Sequence, residues 1–272
     1  MTTPIALTIA GSDSGGGAGI QADLKTFSAL GVYGASVITA LTAQNTKGVS
    51  AIHDVPPGFI TAQIDAVMSD LAVNAVKIGM VSRPEAIVAI ADGLWRWQPR
   101  FVVFDPVMVA TSGDRLLAPE AIDLLRRKLV PAATIITPNL PEAAVLLDTA
   151  IASDEAAIEE QGHALLELGC PAVLIKGGHG TGAESVDFLV TRDDVLRLAA
   201  RRIATRNTHG TGCTLSSAIA AGLAKGQDMN TAVTRAKTYL SAAVAAADRL
   251  AVGHGHGPVH HFHAFERARA RH

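Results

Sequence analysis

The stretch Ile5-Ala6-Leu7-Thr8-Ile9-Ala10-Gly11-Ser12-Asp13-Ser14-Gly15-Gly16-Gly17-Ala18-Gly19 decides the fold. Residues 5–10 are an apolar run of strand length that breaks into a Gly/Ser/Asp turn. Ile20, Leu24, Phe27 and Leu30 then recur at spacings of four, three and three, which is one face of a helix. Residues 35–41, rich in β-branched and small side chains, read as the next strand. The same alternation continues downstream. Buried strands are expected at 75–78, 101–105, 134–136 and 172–176, with helices at 57–69, 84–94, 119–129 and 154–168. Near-continuous apolar strands alternating with amphipathic helices indicate an α/β protein whose mostly parallel sheet is covered on both faces.

Strict alternation stops later in the chain. Residues 186–190, 195–198 and 201–204 are close-spaced short strands, expected as antiparallel additions at one sheet edge. Two Ala-rich helices are expected at 211–224 and 230–247, and from Gly253 the chain reads as irregular. No linker, internal repeat or charge block divides residues 1–272, so a single domain is expected.

The 272 residues carry 23 Lys+Arg against 25 Asp+Glu, a near-balance that argues against a sequence-independent nucleic-acid binder. Hydrophobic residues make up 49% and charged residues 18%, enough to bury a large core. Cys170 and Cys213 lie outside any CxxC pattern, so a reduced, cytoplasmic protein without disulfides or structural zinc is expected. No signal peptide and no membrane-spanning stretch are read.

Five segments could carry chemistry. The glycine-rich turn at 11–19 brings backbone N–H groups close to a ligand at a helix start. It matches neither GxxxxGK[ST] nor the dinucleotide fingerprint GxGxxG, which sets aside a Walker loop and a Rossmann dehydrogenase. Asp105 stands where the strand Phe101-Val102-Val103-Phe104 runs out before Pro106, the place where open α/β sheets bind ligands; an Asp that merely caps a loop is the alternative. In Thr137-Pro138-Asn139-Leu140-Pro141-Glu142, Asn139 and Glu142 supply hard oxygens suited to Mg²⁺ and its waters, and the same pair makes a capping box; both can hold together. Lys176 ends a strand before Gly177-Gly178-His179, where it can meet phosphate as a point charge or remain a solvated strand-end lysine.

The sharpest segment is Asn207-Thr208-His209-Gly210-Thr211-Gly212-Cys213-Thr214. Amides of Gly210 to Cys213 at a helix start would converge as an anion hole for a transferred phosphoryl group. Cys213 at that helix N-terminus is expected to have a lowered thiol pKa and to accept a proton from an attacking alcohol.

Taken together, Asp105-Pro-Val-Met, Thr137-Pro-Asn139-Leu-Pro-Glu142, Lys176-Gly-Gly-His179 and His209-Gly-Thr-Gly-Cys213 resemble the ribokinase-like small-molecule kinases, over essentially the whole chain. Within that superfamily the segment from Gly11 to Asp23, Gln44-Asn-Thr46, Lys77-Ile-Gly-Met80 and the ending Gly257-Pro-Val-His-His-Phe262 are similar to the bacterial hydroxymethylpyrimidine/phosphomethylpyrimidine kinases of thiamine biosynthesis. The resemblance implies a three-layer α/β/α ribokinase-like fold with antiparallel edge additions. It implies ATP-dependent phosphorylation of 4-amino-5-hydroxymethyl-2-methylpyrimidine to the monophosphate and then the diphosphate. ATP and Mg²⁺ are implied as cofactors, a monovalent cation is left open, and a homodimer is common for such chains.

By the same resemblance, Cys213, Gly210 and Gly212 form the catalytic group. Gln44, Gly11, Asp23, Met80 and Val107 line the substrate pocket, Gln44 offering donor and acceptor to an aminopyrimidine edge. Lys176, Asn139, Thr208, His209 and Thr211 meet ATP, with Lys237 a weaker phosphate candidate that a solvated helical lysine explains equally well. Asp105 and Glu142 manage the metal. Most sugar kinases of the superfamily carry Asp where Cys213 stands; the cysteine matches the pyrimidine-kinase branch. A pyridoxal/pyridoxine kinase is the neighbouring alternative, and a non-catalytic nucleotide or vitamin sensor the alternative of a different class. The crowded His254, His256, His260, His261 and His263 lack Cys or acidic partners, so the segment is expected to pack near a subunit or nucleotide edge rather than to bind metal.

Overall fold

In the computed structural model, which describes residues 2–108, 120–178 and 182–265, every parallel strand begins from one of the apolar runs. The first, β1 (Ile5–Asp13), leads into α1 (Gly19–Ala29), then β2 (Tyr33–Asn45) and β3 (Gly48–Asp54). There follow α2 (Pro57–Met68), β4 (Ala75–Ile78), α3 (Pro84–Trp97) and β5 (Val102–Phe104). A short α4 (Ala121–Leu124) continues as a π-helical turn at Leu125–Leu129, before β6 (Ile135–Ile136), α5 (Leu140–Leu147), α6 (Glu155–Leu166) and β7 (Ala172–Lys176). The chain then makes β8 (Glu184–Thr191), β9 (Val195–Arg201), α7 (Thr211–Ala224) and α8 (Met229–Ala245). His179 and residues 109–119, including Pro119 of the expected fourth helix, lie outside the described residues.

Among the described residues, nine strands form one sheet in the order β3-β2-β1-β4-β5-β6-β7-β8-β9. Pairing is parallel from β2 through β7, and antiparallel where β3 joins β2 and where β8 and β9 extend β7. Antiparallel strands therefore close both edges rather than one. β3, half exposed and rich in small polar residues, carries too weak an apolar signal to be read beforehand. The strand expected at 201–204 does not exist separately, because β9 runs on to Arg201 and pairs there with Glu184. Likewise β1 continues to Asp13, so Gly11, Ser12 and Asp13 are strand and the turn is shorter than expected.

Successive strand residues feed two cores. Leu7, Ile9, Val76, Ile78, Val102 and Phe104 pack against α2 to α6. Ala6, Ala75, Val103, Ile135 and Leu174 pack against α1, α7 and α8 on the opposite face. Burial on both faces explains why these strands read as unbroken apolar runs. The helix after β1 covers one face and the helix after β4 the other, although β1 and β4 are neighbours. Their carboxyl ends therefore diverge into a crevice, the switch point at which open α/β sheets take ligands.

Candidate active site

A cavity of about 740 Å³ opens beyond the carboxyl ends of the parallel strands, a size typical of small-molecule sites. Gly11 of β1, Met80 after β4, Asp105 after β5, Asn139 after β6 and Lys176 of β7 all reach it, and the start of α7 forms its floor. It brings together Gln44, Val107, Glu142, Thr208, His209, Gly210, Thr211, Gly212, Cys213 and Lys237 from the expected set.

Asn139, Asp154 and Asp228 cap α5, α6 and α8 with their side chains, whereas α7, like α1, α2 and α3, has no side-chain cap and begins at Gly210. The first-turn N–H groups of a helix have no partner within it, and Gly212 and Cys213 line the cavity. Gly210 has φ +80°, and a Cβ there would lie 2.0 Å from the Gly17 carbonyl oxygen, so only glycine lets the two loops touch. At Gly212 a Cβ would stand 3.4 Å from Lys176 Nζ and 3.5 Å from Asp105 Oδ2. The positive end of the α7 dipole, an ammonium and a carboxylate thus meet at one point.

Lys176 Nζ lies 2.7 Å from Asp105 Oδ1 and 3.8 Å from Glu142 Oε2. Burial raises the Asp105 carboxyl, but Lys176, Lys77 and the Thr137 hydroxyl (3.0 Å) overcome it and hold the group below its usual range. Glu142 goes the other way: burial pushes it up to about 7, Lys176 opposing and Asp105 adding to the rise. Its capping box is formed, with Asn139 N–H donating to Glu142 Oε2 at 2.8 Å and Glu142 N–H to Asn139 Oδ1 at 2.9 Å. Two hard carboxylates already gather around one cation. No cluster of three His, Cys, Asp or Glu side chains suited to a metal occurs among the described residues. That donor set fits Mg²⁺ arriving on nucleotide phosphates with its own waters, not a dedicated protein cage.

Cys213 departs from expectation. The thiol is not activated by the helix end: burial pushes it up to about 11, Lys77 pulling down, and Asp23 and Asp105 adding to the rise. The low dielectric around the sulfur outweighs the helix dipole. Cys170 is a buried thiol pushed up to about 11 by burial, and no disulfide joins the two.

Asp23 does not line the pocket. It is fully buried beneath the floor, where its carboxylate accepts from Lys77 Nζ (3.0 and 2.9 Å), Thr8 Oγ1 (2.6 Å) and Ser217 Oγ (2.6 Å). Ser217 stands one turn beyond Cys213 on α7, so this ion pair lies directly below the thiol. His209 lines the cavity with its ring held by Asp13, Nε2 lying 2.9 Å from Asp13 Oδ2, and its backbone N–H donates to the Gly257 carbonyl (3.0 Å). Lys237 is no solvated lysine; it is paired with Asp187 at 2.7 Å inside the cavity wall.

Several lining residues escaped sequence reading. Ala200, Ile203, Leu240 and Val244 make an apolar patch near Lys237, and Asp187 supplies buried charge. Only spatial convergence could have found them, since none stands in a segment whose local pattern points to chemistry. The histidine-rich ending packs on α7 and α8: His261 Nε2 lies 3.1 Å from Thr214 Oγ1, and the Tyr239 hydroxyl donates to the His261 carbonyl (2.7 Å).

Comparison with known proteins agrees with this geometry. A profile of the phosphomethylpyrimidine kinase family matches residues 13–260. A hydroxymethylpyrimidine/phosphomethylpyrimidine kinase of Rhizobium meliloti (strain 1021) is 64% identical over 261 residues, covering 96% of this chain and 98% of the relative. The crystal structure of phosphomethylpyrimidine kinase from Clostridium difficile 630 superposes with a TM-score of 0.78 at 48% identity, covering 87% of this chain and 97% of that one. An ADP complex of Bacillus subtilis pyridoxal kinase gives a TM-score of 0.90 at 35% identity, covering 97% and 99%. With a family profile spanning nearly all of it and a relative this similar end to end, the chain belongs to the phosphomethylpyrimidine kinase family.

Proposed function

We propose that this chain phosphorylates the 5-hydroxymethyl group of 4-amino-5-hydroxymethyl-2-methylpyrimidine with ATP, and then phosphorylates that monophosphate to the diphosphate, for thiamine biosynthesis. The observation that carries the proposal is the uncapped start of α7 facing Lys176 and Asp105 at the middle of a cavity with two distinct ends. One end, with Gly11, Gln44, Met80 and Val107, suits a flat nitrogen heterocycle. The other, with Ala200, Ile203, Leu240 and Val244 beside Lys237, suits a nucleotide.

In the first step the alcohol oxygen bonds to the γ-phosphorus, the bond to the bridging oxygen breaks, and ADP leaves. Charge on the migrating group falls on the amides of Gly212 and Cys213, and Lys176 exchanges Asp105 for phosphate oxygens. Asp105 and Glu142 would hold Mg²⁺ through its waters; the ion supplies charge neutralisation on the phosphates. The alcohol proton passes to Cys213, whose thiolate fraction is small at neutral pH. A loose transition state tolerates so weak a base, because positioning and charge stabilisation do most of the work. The second step attacks with an ionised phosphate oxygen and needs no base.

The likeness to a pyridoxal kinase keeps a second substrate class in view. Steady-state assays with ATP and each heterocycle decide: kcat/KM is expected to favour the aminopyrimidine alcohol, and a far higher value for pyridoxal would overturn the choice. Absence of phosphoryl transfer to either would return the chain to the sensor class. Sedimentation is expected to report a homodimer.

A further inference from the structure

Asp13 and His209 line the cavity, and the phosphoryl transfer proposed above uses neither side chain. The Asp13 carboxylate winds the glycine-rich turn around itself. Oδ1 accepts from Gly15 N–H (2.8 Å), and Oδ2 accepts from Gly17 N–H (3.0 Å) and Ala18 N–H (2.8 Å). Oδ2 also lies 2.9 Å from His209 Nε2, and both residues are buried. Burial raises the Asp13 carboxyl, but His209 and the loop amides hold it below its usual value. An ionised carboxylate only accepts, so the Asp13 contact places a proton on His209 Nε2.

Gln44 completes the set. Its Nε2 lies 3.5 Å from His209 Nε2, and its Oε1 lies 3.0 Å from Thr42 Oγ1, which is also 2.8 Å from the Ser12 carbonyl. Thr42 has one proton for two acceptors, while the Gln44 amide NH₂ faces an imidazole N–H. The Thr42 mismatch vanishes if the amide turns over, its NH₂ donating to Thr42; its carbonyl then faces the His209 N–H, which Asp13 shares at the shorter distance. The way this amide lies therefore depends on where the imidazole proton sits.

We propose that Asp13 and His209 are positioning residues for substrate selection: Asp13 fixes the proton on His209 Nε2, and that N–H fixes the polarity of the Gln44 amide. The pocket then offers a donor and an acceptor in one order, the order an aminopyrimidine edge requires and a pyridine without a ring amino group does not. His209 is well placed to be rigid. Its ring packs against Gly17, where a Cβ would fall 2.3 Å from Cδ2, and its backbone is pinned by Gly257 and Val259.

The inference rests on the proposed pyrimidine kinase activity. Its test measures kcat/KM for the aminopyrimidine alcohol and for pyridoxal, with KM for ATP, in wild type, Asp13→Asn, His209→Leu and His209→Gln. His209→Gln keeps an N–H toward Asp13 and is expected to retain the wild-type ratio between the heterocycles. His209→Leu and Asp13→Asn are expected to cut that ratio by about tenfold or more, in line with the cost of a mispaired polar group, at unchanged KM for ATP. Equal losses for both heterocycles, or a His209→Gln ratio as low as that of His209→Leu, would overturn the proposal. If His209→Leu does not fold, the pair Asp13→Asn and His209→Gln still decides. A wild-type preference for pyridoxal would sink the functional reading instead, which the wild-type assay alone reports.

Discussion

Cys213 sits on the third residue of α7 with a thiol raised to about 11, so under the proposed mechanism its ionisation is expected to control the first phosphorylation from the alkaline side. Below that value the thiolate fraction grows tenfold per pH unit. Above about pH 8, where Glu142 is already ionised, kcat/KM for the alcohol is expected to climb nearly tenfold per pH unit toward pH ~10, as general-base catalysis requires. The monophosphate acceptor, already ionised, is expected to show a flatter profile. Cys213→Ala should lose about 10²–10⁴ in the first step, the usual worth of a positioned proton acceptor, and less in the second. Equal losses in both steps would assign the sulfur to pocket shape. Beneath the same thiol, Lys77 of β4 serves stability. Lys77→Met strands the Asp23 carboxylate between Thr8 and Ser217 and is expected to cost about 3–5 kcal/mol in urea unfolding. Lys77→Met/Asp23→Asn should recover part of that loss.

At the scale of elements, the helix that begins α7 trades stability for an open end. Gly212→Ala adds a better helix former, and its Cβ makes ordinary contacts with Lys176 and Asp105. The variant is expected to unfold at or above the wild-type temperature, while kcat falls about 10²-fold because the methyl intrudes where the anion must meet the amides. Calorimetry beside a turnover assay checks this; a stable variant with full kcat would show that the anion lies elsewhere. The opening of α7 is also where sequence legibility was greatest, because two glycines flanking Thr211 at a helix start form a pattern that helix propensity does not explain. Strands β4 and β7 and helix α7 were readable to the residue, since buried parallel strands and Ala-rich helices leave uninterrupted patterns. β3 was not, because an edge strand carries few apolar residues. Pairings remote in sequence were also hidden: nothing near Asp23 announces Lys77, and nothing near His209 announces Asp13. The raised thiol belongs to the same class, since the desolvation that decides it comes from elements distant in the chain.

For the whole molecule, two buried groups pull the pH dependence of folding in opposite directions. His261 is held neutral by burial, with its pKa lowered from 6.5 to about 4. As pH falls through that window the unfolded chain takes up the proton first, so this group's stabilisation, present above about 6.5, is lost toward 4. Glu142, raised from 4.5 to about 7, acts in reverse: the folded chain takes up the proton first, so its contribution is present below 4.5 and is lost as pH rises through 7. Each contribution is on the order of 3 kcal/mol, and the windows overlap between about pH 4.5 and 6.5. Asp13 and Asp105, both lowered, begin to matter only below their ordinary value of 3.8. The wild-type unfolding free energy is therefore expected to be nearly flat across the overlap. Glu142→Gln keeps the capping box, since glutamine also accepts from the Asn139 N–H, but removes the compensating titration. Its stability should then rise by about 3 kcal/mol from pH 4.5 to 6.5 in denaturant titrations, with His261 alone exposed in the profile. A variant curve as level as the wild type would mean that the two sites are not in balance and that His261 is not the neutral buried imidazole on which the strap of the chain's ending over α7 depends.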